Sequence, residues 1–114
     1  MLRHVGYIIV FVRDMDAMLD FWRNRIGLQP GYTSSEWSEL QLDNTILALH
    51  KAEEAGRRDT GIVFTTQDID GAVEKLRAAG VEVTDPQDIG AGREATFKDP
   101  EGNVYHIFQP AQQA

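Results

Sequence analysis

A histidine near the end of the chain, His106, lies between apolar neighbours in a segment with the alternation of a β-strand. His106 shares one face of the predicted strand with Val104 and Phe108, while Tyr105 and Ile107 point to the other face. Imidazole titrates near neutral pH and can move a proton or hold a substrate. We interpret His106 as a candidate general base or substrate hydrogen-bond partner. The alternative is a core histidine bonded to a nearby backbone or hydroxyl group.

The residues before this strand predict a turn at 99–103, with the sequence Asp-Pro-Glu-Gly-Asn. Asp99 can cap the turn, Pro100 presets φ at the first corner, and Gly102 can adopt the positive φ that closes a type I turn with a bulge. The sequence therefore predicts a β-hairpin over residues 95–109.

Aromatic residues elsewhere in the chain could form an apolar pocket for a flat ligand. Such rings bury a large area with preferred mutual geometry, and ligand pockets are lined by them. The alternative for each ring is a place in the core. The candidate ligand-binding residues are Tyr7, Phe11, Trp37, His50, Phe97, His106 and Phe108.

The amino-acid composition limits the kinds of molecule that this chain can bind. The chain has 11 basic and 18 acidic residues, a net charge of -7 and no basic cluster, which disfavours nucleic acid and anionic membranes. Cysteine is absent, which excludes disulfides, thiolate nucleophiles and cysteine-ligated metals. No segment approaches the length of a membrane-spanning helix. We expect a cytoplasmic protein whose partner is a small molecule.

The first half of the chain predicts a strand, a helix and three further strands. Residues 5–12 are β-branched or aromatic on both faces, as in a central strand covered on both sides. Asp14 can cap the following helix and Gly27 can end it. The apolar stripe of this helix is Met15, Met18, Leu19, Trp22 and Ile26. The further strands are predicted at 28–33, 37–42 and 45–50.

The second half repeats this plan after a charged connector at 51–59. A strand at 61–65 precedes a helix that Asp68 can cap and Gly80 can end. Its apolar stripe is Ile69, Ala72, Val73, Leu76 and Ala79. A short strand at 81–84 and a flexible loop at 88–92 come before the final hairpin.

These segments resemble the vicinal oxygen chelate superfamily, which includes glyoxalase I, bleomycin-resistance proteins, extradiol dioxygenases and fosfomycin-resistance enzymes. The resemblance is carried by residues 12–28, 67–81 and 99–109. It implies an α+β fold of two paired βαβββ modules that form a curved, incomplete barrel around a cavity, and it implies a homodimer. We predict a single domain over 1–114, with module one at about 1–50 and module two at 60–110. A ferredoxin-like βαββαβ fold is the alternative, but it would leave the final hairpin without a place.

The resemblance also implies where a divalent metal would be held. Metal-binding members carry His or Glu near the start of the first strand and on the last strand of each half. These positions fall on Tyr7, Ala48, Gly61 and His106, of which only His106 is an ordinary ligand. The residues therefore favour a protein without a metal cofactor. A site built from His50, His106 and Glu39 stays open as an alternative.

Two functions follow from these observations. The first is a metal-independent binder of a small apolar or aromatic molecule, held in a cavity between the two modules. The alternative is a divalent-metal-dependent lyase or isomerase of the glyoxalase type, in which a metal would polarise a carbonyl group and a base would move the adjacent proton. The sequence leaves open whether the protein is an enzyme.

Overall fold

The structure, a computed structural model, describes residues 1–54 and 58–112. The chain divides into two compact units, Met1–Gly56 and Arg57–Ala114, which we call unit one and unit two. This division lies in the predicted connector at 51–59, of which residues 55–57 lie outside the described residues. The connector is shorter than predicted, because Lys51 ends a strand of unit one and Asp59 begins a strand of unit two.

Unit one has the predicted strand–helix–hairpin order. Its elements are β1 (Tyr7–Val12), α1 (Met15–Asp20), a π-helical continuation (Phe21–Ile26), β2 (Trp37–Gln41) and β3 (Ile46–Lys51). The sheet order is β1-β3-β2, with β1 parallel and β2 antiparallel to β3. Within this sheet β1 is an edge strand, not the predicted central one. The predicted strand at 28–33 is reduced to a bridge between Pro30 and Leu40, flanked by hydrogen bonds from the Gln41 N–H to the Gln29 carbonyl and from the Gly31 N–H to the Glu39 carbonyl.

The helix of unit one begins and ends where the sequence predicts. The Asp14 side chain accepts a hydrogen bond from the Ala17 N–H at 3.1 Å, and Gly27 ends the helix with a φ of 93°. The last turn widens, because the Gly27 N–H donates to the Trp22 carbonyl five residues back. Phe21 and Trp22 are both buried, so the buried face of the helix is wider than the predicted stripe, which includes Trp22 and omits Phe21.

Unit two repeats the plan with a four-stranded sheet among the described residues. Its elements are β4 (Asp59–Thr65), α2 (Ile69–Ala78), β5 (Gln87–Asp88), β6 (Gly92–Lys98) and β7 (Val104–Pro110), in sheet order β4-β7-β6-β5. Asp68 caps α2 as predicted, by accepting the Gly71 N–H at 3.0 Å. The predicted strand at 81–84 is reduced to a bridge between Val83 and Phe97.

The predicted flexible loop at 88–92 is instead a tight turn. The Ile89 N–H donates to the Gly92 carbonyl at 2.9 Å, and β5 pairs with β6 on either side. Gly90 has a φ of 88°, a left-handed conformation that glycine adopts without strain. Residues 88–92 therefore form a hairpin turn between β5 and β6, and the predicted flexibility stays a prediction.

The final hairpin forms as predicted and belongs to the sheet of unit two. Lys98 pairs with Val104 at the end of the antiparallel β6–β7 ladder. Asp99 is buried inside the turn, and Gly102 adopts a φ of 86°. The α+β class with two sheets is confirmed, which removes the ferredoxin-like alternative with its single sheet. In the described part of the chain, no helix is long and apolar enough to cross a membrane.

Candidate functional site

Four predicted site residues lie together on one sheet face of unit one. Phe11 on β1, His50 on β3 and Trp37 on β2 are direct neighbours in register, and Tyr7 is on the same side of β1. We call Tyr7, Phe11, Trp37 and His50 the aromatic face. Tyr7 is 52% exposed and Phe11 is 44% exposed. In this chain the side of β1 that carries Tyr7 and Phe11 is therefore partly exposed.

The rings of the aromatic face contact one another. Tyr7 and Trp37 meet edge to face, with centroids 5.9 Å apart. Trp37 and His50 do the same at 5.7 Å, and Phe11 lies tilted against His50 at 5.4 Å. The Nδ1 atom of His50 is 2.8 Å from the Lys51 carbonyl, which only accepts, so Nδ1 carries the proton in this contact. The four rings form one continuous surface that can contact the plane or edge of a ligand ring.

Ala48 explains how the Tyr7 and Trp37 rings can meet. It lies on β3 between Ile46, which pairs with Tyr7, and His50, which pairs with Trp37. The two long side chains therefore meet across a position that carries only a methyl group. A metal-ligating side chain at Ala48 would stand where the two rings meet. Alanine at this position cannot ligate a metal and leaves room for the contact between the Tyr7 and Trp37 rings.

Glu39 fixes the indole ring of Trp37. The two residues are two positions apart on β2 and so point to the same side of the sheet. The Trp37 Nε1–H donates to Glu39 Oε2 at 2.9 Å. This charge-assisted bond holds the indole in one orientation and places a carboxylate at the edge of the aromatic face.

The predicted catalytic residue, His106, lies on the sheet of unit two between two carboxylates. Its Nε2 atom is 3.1 Å from Asp59 Oδ1 and 3.2 Å from Asp59 Oδ2. Its Nδ1 atom is 3.6 Å from Glu94 Oε1. Because an ionised carboxylate only accepts, the Asp59 contact requires a proton on Nε2. The ring nitrogen left to act as a base is Nδ1, which faces Glu94.

His106 lines a depression in unit two of about 400 Å³. The wall is mostly polar, with Val63 as an exposed apolar side chain. The lining residues are Asp59, Thr60, Gly61, Val63, Glu94 and His106.

A bulge in β4 brings the Asp59 carboxylate to His106. Asp59 pairs with Val104, and Val63 pairs with His106. The pairing therefore moves forward four residues along β4 but only two along β7. Gly61 absorbs this mismatch with a φ of 70°, and its N–H donates to Asp59 Oδ1 at 2.9 Å. Glycine at this position therefore shapes the strand, where the resemblance places a metal ligand in other members.

The described residues provide no metal-binding cluster. No group of three or more His, Asp or Glu side chains within residues 1–54 and 58–112 is arranged to hold a metal ion. Around His106 the reason is visible, since Asp59 and Glu94 approach opposite nitrogens of the ring and do not converge on one point. The alternative set of His50, His106 and Glu39 joins residues of both units and stays a prediction.

Phe97 and Phe108 lie on opposite faces of the unit two sheet. Phe108 shares the face of His106, two residues away on β7. Phe97 is 3% exposed and stacks on buried Tyr105 with centroids 5.1 Å apart. The pairing of Thr96 with His106 puts Phe97 on the side turned away from the depression. Phe97 therefore packs in the core of unit two, and its predicted part in ligand binding stays a prediction.

Two carboxylates of the depression are absent from the predicted site. Alternation along β6 could have found Glu94, because Ala95 and Phe97 are core residues and Glu94 must point to the other side. Asp59 carries no such signal, since it lies in the predicted connector and reaches His106 only through the bulge.

The chain was compared with protein-family models and known proteins. The model of the Glyoxalase/Bleomycin resistance protein/Dioxygenase superfamily matches residues 4–107. This chain belongs to that superfamily. Among its relatives, YetH of Bacillus subtilis strain 168 is 28% identical over 116 residues, which cover 92% of this chain and 97% of YetH.

Two solved structures show how varied the neighbours on this fold are. TnmS3, an antibiotic binding protein from Streptomyces sp. CB03234, is 28% identical with a TM-score of 0.87, over 96% of this chain and 98% of TnmS3. An E126Q mutant of FosX, a fosfomycin resistance protein from Listeria monocytogenes, was solved with Mn(II) and a dihydroxypropylphosphonic acid. It is 21% identical with a TM-score of 0.78, over 95% of this chain and 90% of FosX. At this sequence identity, the similarity to FosX shows a shared fold and nothing more.

Proposed function

We propose that this protein binds a small, flat aromatic molecule on the aromatic face of unit one, without a metal ion. The observation that carries the proposal is the exposed cluster of contacting rings on adjacent strands, with Trp37 held in place by Glu39. Large apolar side chains that stay exposed in a contiguous patch mark interaction sites more often than chance contacts. The rings are already ordered by their mutual contacts, so the protein would lose little conformational freedom when a ligand stacks on them.

The comparisons and the ligand positions support this reading over the lyase. TnmS3, which is similar over almost the whole chain, is an antibiotic binding protein. Of the four positions at which metal-binding members carry ligands, Ala48 and Gly61 have no side-chain donor and Tyr7 belongs to the ring cluster. Catalysis by His106, a homodimer and a cytoplasmic location stay predictions.

Isothermal titration against a panel of aromatic metabolites and drugs tests the binding function. We expect at least one saturable ligand, and we expect Tyr7→Ala to weaken its binding about tenfold or more, because a lost ring stack and its buried area together are worth about 1.4 kcal/mol or more. Tyr32→Ala is the matched control, since Tyr32 is an exposed tyrosine of the same unit outside the aromatic face. Equal losses in both variants, or no saturable ligand in the panel, would contradict the proposal.

Metal independence is tested on untagged protein purified without chelator. We expect far less than one equivalent of divalent metal by mass spectrometry, and we expect the melting temperature to be the same with and without EDTA. A ligand that binds only the folded state would raise the melting temperature by mass action, so removal of a resident metal would lower it. Near-stoichiometric metal with a lower melting temperature in EDTA would favour the glyoxalase-type enzyme. In that case turnover of a hemithioacetal, lost in His106→Ala, should follow.

A further inference from the structure

The Glu39 carboxylate gives the aromatic face a negative edge. Its Oε2 atom accepts the Trp37 Nε1–H at 2.9 Å, which uses one of about four lone-pair directions of the carboxylate. Glu39 is half-buried and Trp37 is half-buried, so this charge is less screened than one on a fully exposed side chain. A ligand lying on the indole would therefore have a carboxylate within reach of its own edge.

The same hydrogen bond also changes the electron density of the Trp37 indole ring. Aromatic faces carry a negative quadrupole that attracts cations, and indole attracts them most strongly. A donor bonded to a carboxylate is polarised toward it, so the N–H···O⁻ bond makes the indole ring more electron-rich. Tyr7 adds a second ring in edge contact with Trp37. Both the edge and the plane of this surface thus favour a positive charge over a neutral group.

We propose that the aromatic face selects planar organic cations, such as N-alkylated heteroaromatic rings, over neutral rings of the same size. This inference rests on the proposed function and adds the chemical class of its ligand. The cation stacks on Trp37 and Tyr7, and its charge is balanced by Glu39. Glu39 is also a positioning residue, because it holds the indole plane on which the ligand rests.

Two probes of equal size separate charge from shape. N-methylquinolinium carries a permanent positive charge, whereas 4-methylquinoline has the same number of heavy atoms and is neutral at pH 8. By titration calorimetry we expect the wild-type protein to bind the cation about tenfold more tightly than the neutral ring, a difference of about 1.4 kcal/mol.

Glu39→Gln tests whether the carboxylate causes this preference. The amide oxygen of glutamine can still accept the Trp37 N–H, so the variant removes the charge and keeps the acceptor. We expect the preference for the cation to fall several-fold, with only the attraction of the indole face for a positive charge remaining, while the affinity for the neutral probe stays within about twofold. Glu36→Gln is the matched control: it makes the same change of net charge at an exposed position three residues away and should keep the preference.

The outcomes distinguish the ligand class from the binding function. Equal wild-type affinity for the two probes would overturn selection of cations and leave the proposed function standing. Equal loss of both probes in Glu39→Gln would show that Glu39 acts only by holding Trp37, which also overturns the charge argument. No binding of either probe to the wild-type protein would contradict binding on the aromatic face itself.

Discussion

Replacing Asp99 by alanine is expected to lower the free energy of unfolding by about 3 to 5 kcal/mol. Asp99 is only 5% exposed, and its two carboxylate oxygens organise the β6–β7 turn. Oδ1 accepts the backbone N–H groups of Glu101 and Asn103, at 2.9 and 3.0 Å. Oδ2 accepts the Asn103 side-chain amide at 2.9 Å and the Tyr105 hydroxyl at 2.8 Å. Alanine would leave these donors unsatisfied in the interior, and buried donors without partners are costly.

Asp88→Ala is the matched control for this substitution. Asp88 also accepts a backbone N–H two residues ahead, that of Gly90 at 2.9 Å, but it does so in an exposed turn. We expect it to cost about 1 kcal/mol or less, because water can replace the lost acceptor. Urea denaturation of both variants measures the difference. A loss below 1 kcal/mol in Asp99→Ala would show that the buried turn does not depend on the carboxylate.

The elements that the sequence predicts well are those with a local cause. Asp14 and Asp68 cap their helices as predicted, since a cap needs only a side-chain oxygen and an N–H three residues ahead. The 99–103 turn forms for the same kind of reason. Strand alternation also determines which side chains share a face once the strands are predicted correctly. It places four rings on one face of unit one: Tyr7, Phe11, Trp37 and His50.

The errors arise where the backbone leaves a regular period. The helix of unit one ends in a π-helical turn, which no spacing in the sequence predicts. The bulge at Gly61 brings Asp59 to His106 although periodicity places Asp59 in a connector. Phe97 lies opposite His106 by alternation alone, once the register of the hairpin is known. The candidate site around His106 was thus harder to predict than the fold, since its carboxylates depend on register and irregularity.

Tyr105 is expected to make the protein lose stability at high pH. Burial, and then the negative charge of Asp99, raise the pKa of the Tyr105 phenol above its ordinary value, so the folded state keeps the proton. In the unfolded chain the phenol ionises near pH 10. The contribution of the neutral phenol is therefore fully present below pH 10 and is lost as the pH rises above it. The free energy of unfolding should fall by about 1.4 kcal/mol per pH unit from this group.

Tyr105→Phe should remove this slope while costing stability at neutral pH. The variant deletes the hydroxyl that donates to Asp99 Oδ2, so we expect a loss of about 1 to 3 kcal/mol at pH 7. Between pH 10 and 11 the free energy of unfolding should fall less steeply for the variant than for the wild-type protein. The two curves of unfolding free energy against pH should therefore converge. Tyr32→Phe, at an exposed tyrosine, should follow the wild-type curve throughout. Parallel curves for Tyr105→Phe and the wild-type protein would mean that Tyr105 ionises equally well in the folded state, and that another group governs alkaline unfolding.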